Sequence, residues 1–394
     1  MRNLFLVASA VALASATPVH ADANGELKTL VDEVWATTLK EQPIYASALG
    51  VDTYADQVGD YTLAAQDRRA ADAATFLKRL DAIPAGELDG AAKVEAGILR
   101  RALNSTIDGS RFGQRAINFT TYSSWHQQFA GMADNLRFRN RSDFENYNKR
   151  LAQYGRVNDE NIAVANVAIK GRYTQPCETL SGFEGTVSGL KSADITKSRF
   201  YSPYAGKRPD GVSENDFAAL AADAAKTIQT VIHRALDKQL AWYTASYKPV
   251  CAKAPGVSAQ PGGDKYYAFR VREETTTDLT PEQIHQIGLK EVARIRAEMV
   301  DVATKAGYPC REAFIAHLRT DPQYYAKTPE ELMEKVARVT KIIDGKMPTL
   351  FGRLPRLPYG IKEIPAETAE GTTTAYYNQG SPEIGLSGTY FVNT

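Results

Sequence analysis

"TPEQIHQIGLKEVARIRAEMVDVATKAGYP", Thr280 to Pro309, carries the clearest local signal in the 394-residue chain. The Thr280 hydroxyl can accept from the first turn of a helix. Pro281 fits the first helical position, where a missing N–H costs nothing, and Gln283 completes a capping box. Ile284, Gly288, Val292, Ile295, Met299 and Val302 recur at helical spacing as one apolar stripe. Gly307 supplies a left-handed cap and Pro309 blocks continuation. "TPEELMEKVARVTKIIDGKMP" repeats the same grammar from Thr328 to Pro348. The two segments share a way of starting a helix and form no internal repeat.

Working outward, "ELKTLVDEVWATTL" places Leu27, Leu30, Val34 and Leu39 on one helical face. "AAQDRRAADAATFLKRLDAI" and "GAAKVEAGILRRALNSTI" read as two further helices. Residues 112–138 are aromatic and less regular. "RSDFENYNKRLAQYGRVNDENIAVANVAIKG" returns to helix, with Ser142 or Asp143 as N-cap and Gly171 as the stop. Residues 173–212 read as loops with short helices, Glu214 to Tyr247 as one long helix, and 248–267 as a connector. Past Pro348 the style changes. Pro355, Pro358, Pro365 and Pro382 punctuate strand-like pieces "GIKEIP", "TTTAYYN" and "GTYFVN". The expected fold is mainly α (α+β): a helical body over 22–347, then an extended, β-containing region over 348–394.

Residues 1–21 give the address. Arg2, an apolar run from Leu4 to about Ala16 and the small-x-small exit Val19-His20-Ala21 form a secretory leader, with the cut expected after Ala21. The mature protein is then periplasmic or secreted, and no later run is apolar enough to span a bilayer. Removing Arg2 with the leader leaves basic and acidic residues equal in number. With no basic block either, nucleic acid is excluded as a partner. An oxidising compartment permits one disulfide among Cys177, Cys251 and Cys310. The sequence does not choose the pairing; proline-flanked, loop-like settings lean toward Cys177 with Cys251.

The motif search excludes several chemistries. There is no GxSxG elbow, no P-loop and no GxGxxG. His126, His233, His285 and His317 are scattered, and none begins an HExxH, so no metal site is assigned. His285 sits at the edge of the apolar stripe and reads as packed or half-exposed. Glu291 and Glu298 read as a solvated face paired with Arg294. Tyrosines double at Tyr266-Tyr267, Tyr324-Tyr325 and Tyr376-Tyr377. The first two pairs suit half-buried interfaces, whereas Tyr376 and Tyr377 lie in the extended region, where a phenol could meet a ligand.

"GGDKYYAFRVREETTTDLTPEQIHQIGLKEVARIRAEM", from Gly262 to Met299, resembles the bacterial domain-of-unknown-function 885 family of zincin-like metallopeptidases. The likeness continues through "LRTDPQYYAKTPEELM", "LFGRLPRLPYGIKEIP", "AYYNQGSPE" and "GTYFVNT". Upstream, "QPIYASALGVDTYADQVGDYT" and "DFENYNKRLAQY" also resemble the family. The resemblance implies a mainly helical fold, a peptide substrate and zinc in an intact member. There the strand matching "GTYFVNT" leads on to an HExxH-type helix and the remaining ligand. The sequence stops before those residues, so the chain is expected to be the N-terminal portion of such an enzyme, inactive alone and without zinc. No catalytic or metal-binding residue is carried over. The terminal strand is expected either as an open edge that takes a peptide as an added strand or as an ordinary core strand. The first option makes Tyr376, Tyr377, Gly388, Tyr390 and Asn393 the substrate-binding candidates. The alternative function is a non-enzymatic periplasmic helical binding or scaffold protein.

The leader reading predicts that the exported protein begins at Asp22. Mass spectrometry of periplasmic material should return that N-terminus, and an intact Met1 there would refute it.

Overall fold

The computed structural model describes residues 22–364, 369, 373–381 and 385–394. The expected leader, with its cut after Ala21, lies outside the described residues. The chain is mainly α-helical with one small sheet.

Helices α1 (Ala23–Glu41), α2 (Pro43–Ala48), α3 (Leu63–Ala82) and α4 (Gly90–Ser110) open the body. Asp22, Thr62 and Asp89 cap α1, α3 and α4, each side chain accepting from a first-turn backbone N–H. The three long helices meet through Leu27, Leu30, Leu80 and Leu103, with Ala73, Ala92 and Ala96 allowing close approach.

A larger core gathers α5 (Trp125–Ala130), α6 (Arg141–Ala152), α7 (Tyr154–Gly171), α8 (Phe183–Ser188), α9 (Ser202–Ala205), α10 (Glu214–Thr227) and α11 (His233–Trp242). The aromatic segment that looked irregular in sequence supplies its centre: Phe119 contacts Trp125, Phe183, Trp242, Tyr243 and Tyr247. The long helix expected from Glu214 to Tyr247 is continuous, but it widens into π turns at Ile228–Ile232 and Tyr243–Tyr247. Those wide turns carry the fully buried Ile228, Ile232, Tyr243 and Tyr247.

Two local expectations shift. The cap of α6 is Asn140, not Ser142 or Asp143. Its side chain accepts from the Asp143 N–H at 3.1 Å, and the Asp143 carboxylate accepts from the Asn140 N–H at 3.2 Å. An N-x-x-D capping box satisfies two orphan donors at once, which a lone Ser142 cannot do. Gly171 does end α7, yet the left-handed residue is Arg172, at φ 60°. Gly171 is required for space instead, because a Cβ there would lie 2.2 Å from the Tyr173 ring.

The connector ends sooner than its composition suggests, giving way to α12 (Gly263–Thr275). Then come α13 (Pro281–Lys305), α14 (Arg311–Thr320) and α15 (Pro329–Leu350). Thr280 and Gln283 form the expected capping box, Gly307 is left-handed at φ 84°, and Thr328 caps α15. α15 runs two residues past Pro348, whose ring is tolerated in the fraying last turn. The stripe on α13 forms but stays uncovered. Only Ala303 of this helix is buried, while Val292 and Val302 are 48% and 54% exposed. Ile342 and Ile343 of α15 face solvent similarly.

The three strand-like pieces become β1 (Gly360–Glu363), β2 (Ala375–Asn378) and β3 (Thr389–Val392). Their order is β1-β3-β2. β3 runs parallel to β1, with Ile361 opposite Tyr390, and antiparallel to β2, with Tyr376 opposite Phe391. Of the two expectations for the terminal strand, the described residues fit the ordinary inner strand and not the open edge: β3 is central, and the edges of the described sheet belong to β1 and β2.

Cys177 pairs with Cys251 across 74 residues, and Cys310 is an exposed free thiol. Closing a loop of that length stabilises the fold by about 4 kcal/mol in the chain-entropy account. Cys251→Ser should therefore lower the urea midpoint substantially, while native protein should label with a thiol reagent at Cys310 alone. An unchanged midpoint would show that the bridge does not form in solution.

Candidate functional site

The sheet carries all five sequence-derived candidates, on two faces. Residues paired across an antiparallel ladder share a face and alternate along each strand. Tyr377, Tyr390 and Gly388 thus belong to one side. A Cβ at Gly388 would lie 1.8 Å from the Tyr377 hydroxyl, so only glycine lets that phenol cross β3. Tyr376 belongs to the other side, where its ring stacks on Phe391 with centroids 4.9 Å apart. Asn393 is engaged in holding the approach to β2: its side-chain Nδ2 donates to Ala369 O at 2.8 Å, and its backbone N–H donates to Thr374 O at 2.9 Å.

Tyr376 is half-buried and Tyr377 exposed. Burial raises the Tyr376 phenol above its ordinary range; Arg199 lowers it, and Asp134 and Tyr122 raise it. Those neighbours place β2 beside the turn after α5, where Arg199 and Asp134 form a 2.5 Å ion pair. On the opposite side Tyr359, just before β1, donates to Thr340 O of α15 at 3.4 Å. The start of β1 is thus tied to α15 through Tyr359. Among the described residues neither β1 nor β2 pairs with a further strand on its outer side.

The histidines do not converge. His285 is exposed, and His317 faces Asp321 at 3.4 Å. Among the described residues no three His, Cys, Asp or Glu side chains are placed to hold a metal. Arg294 bonds both Glu291 and Glu298, as the charged-face reading expects.

His126 has a role its sequence setting did not reveal. It is fully buried, its Nδ1 accepting from the Gln239 amide at 2.8 Å and lying 2.7 Å from the oxygen of Ser124, whose hydroxyl donates to Gln127 Oε1. The Gln239 donor leaves the proton on Nε2, 3.0 Å from Thr186 Oγ1, which in turn donates to Phe183 O. Burial pushes the imidazole down to about 3. A neutral histidine locked between α5, α8 and α11 is a structural pin. The signal that could have located it, a polar quartet from three distant segments, is non-local.

The profile of a family described as bacterial protein of unknown function (DUF885) matches residues 43–394. A crystal structure of the "putative lipoprotein" from Colwellia psychrerythraea superposes with a TM-score of 0.81 at 17% identity. The alignment covers 94% of this chain and 67% of that one, and at this identity it establishes the fold alone. Curated proteins yield no match.

The His126 geometry sets a pH dependence. Its folded pKa lies below the ordinary 6.5, so between about pH 6.5 and 3 the unfolded chain binds a proton that the native one refuses. Stability is full above that window and falls as pH drops through it, by up to about 1.4 kcal/mol per pH unit. Urea titrations from pH 7 to pH 4 should give a shallower loss for His126→Gln than for the parent; parallel slopes would remove the pin.

Proposed function

The chain belongs to the DUF885 family, and from that premise we propose that it forms the helical body and the peptide-holding sheet of an exported zinc peptidase. The observation that carries this reading is the outer side of β2, unpaired among the described residues, beside Tyr376 and Tyr377. An extended peptide can join such an edge, main chain to main chain, with alternate side chains sorted to the two faces. The exposed Tyr377 and half-buried Tyr376 would meet those side chains from opposite sides, with Gly388 and Tyr390 supporting Tyr377 and Asn393 setting the path into β2.

Zinc belongs to the reading only for an intact family member. The residues at hand do not fit it: the sequence contains no HExxH, and no ligand cluster exists among the described residues. Metal ligation is therefore assigned to a segment of HExxH type outside this sequence, and this chain is assigned binding without hydrolysis. The uncovered apolar faces of α13 and α15 support the assignment, since each exposed large side chain forgoes roughly 1.5–3 kcal/mol of burial until something packs on it. Export is supported by the leader over 1–21. Among the described residues no helix is long and apolar enough to cross a membrane. The competing reading, a non-enzymatic periplasmic binding or scaffold protein, draws on the same lack of clustered ligands.

Fluorescence anisotropy with labelled extended peptides tests the proposal. Binding should disappear when one alternate set of peptide amides is N-methylated and persist when the other set is. Tyr377→Ala should weaken it about tenfold, the scale of one stacked or hydrogen-bonded side chain. The chain alone should cleave no peptide above background. Binding indifferent to N-methylation favours the scaffold reading, and metal-dependent hydrolysis by this chain alone overturns the division of labour.

A further inference from the structure

Ser142, Asn146 and Arg150 stand four residues apart on α6, so they share one face of the helix. The remaining faces bury Phe144, Tyr147 and Leu151. All three polar residues line a cavity of about 290 Å³ closed by the turn after α2, around Gly50 and Asp52, and by the segment before α6, around Arg139.

Arg150 is 1% exposed. Its Nε donates to Gln57 O at 2.8 Å, and its Nη2 donates to Pro43 O at 3.0 Å, Tyr54 O at 3.1 Å and Ser47 Oγ at 2.8 Å. Among the described residues Nη1 has no acceptor and no carboxylate pairs with the guanidinium. The nearby acids lie beyond ion-pair distance of Arg150 and answer other groups, Asp56 being 3.7 Å from Lys149. Asp143 accepts from the Arg139 and Asn140 backbone N–H groups, and Asp52 lies 3.9 Å from Arg139. The Asn146 amide and the Ser142 hydroxyl make no hydrogen bond among the described residues.

A guanidinium buried without a counter-ion is costly, and carbonyls solvate it without cancelling its charge. Burial already depresses this group to about 10. Here a charge offset only at longer range, by Asp56 and Asp52, lines a cavity beside an amide and a hydroxyl that have no protein partner among the described residues. We propose that this cavity binds a small oxyanion, a carboxylate or a phosphate, with its oxygens set against Arg150 Nη1 and the Asn146 amide. A cavity of this size has room for inorganic phosphate or a small dicarboxylate. The site is separate from the β2 edge and does not depend on the peptidase reading.

Isothermal titration of the full chain with inorganic phosphate and with succinate, in sodium chloride at matched ionic strength, tests the site and separates the two sources of the anion. One saturable site for either probe is expected. Asn146→Asp, nearly isosteric, places a carboxylate within the stripe and should weaken that binding by about tenfold or more, the scale of one charge-assisted hydrogen bond. The circular dichroism of the unliganded protein should not change. Should that variant misfold, Ser142→Asp at an exposed position gives the same test with the same expected weakening. Absence of saturable binding by both anions, or equal affinity in the parent and a folded aspartate variant, overturns the proposal.

Discussion

The ring of Phe119 is the contact on which the body depends. Five aromatic centroids lie 4.7–6.4 Å from it, contributed by α5, α8 and the end of the long α10–α11 rod. Burying one such ring is worth about 1.5–3 kcal/mol, and favourable edge or stacked pairs add to this. Phe119 itself lies in no helix, so its backbone must be held from elsewhere. Gln175 does this, donating from Nε2 to Phe119 O at 2.5 Å while its own N–H donates to the Tyr247 hydroxyl. Gln175 is in turn tied to Ala252, next to the Cys177–Cys251 bridge. The disulfide thus fixes the strap that fixes the ring.

The C-terminal helices follow a different logic. α13 and α15 owe their form to local devices, a capping box, an N-terminal proline and a left-handed glycine, and hardly at all to burial. Their apolar stripes stand ready-made and largely uncovered among the described residues. Helix formation and helix packing, which coincide in the body, are separated here.

That separation explains what the sequence made legible. Caps and periodicity act over three or four residues, so α13 and α15 could be read almost to the residue, and the three strands were visible as alternating, proline-bounded pieces. Strand order was not, because nothing local distinguishes a central strand from an edge. "GTYFVNT" reads identically in both, and only pairing with Ile361 and Tyr376 decides it. The candidates were legible as residues but not as an arrangement: Tyr376 and Tyr377 fall on opposite faces, and Asn393 turns inward on backbone carbonyls. His126 and Arg150 escaped for the same reason, each being defined by partners 60 or more residues away.

The central position of β3 also has a kinetic meaning. β1 and β2 are not neighbours, so neither can pair until the strand synthesised after both arrives between them. A chain emerging from a ribosome or a translocation pore therefore carries β1 and β2 for a time with their ladder groups bonded only to water. Local helices form in microseconds, whereas this sheet waits on its last strand and on the closure of two loops. Among the described elements the sheet is then the latest to become ordered, and chaperones or unwanted strand partners can meet its strands first.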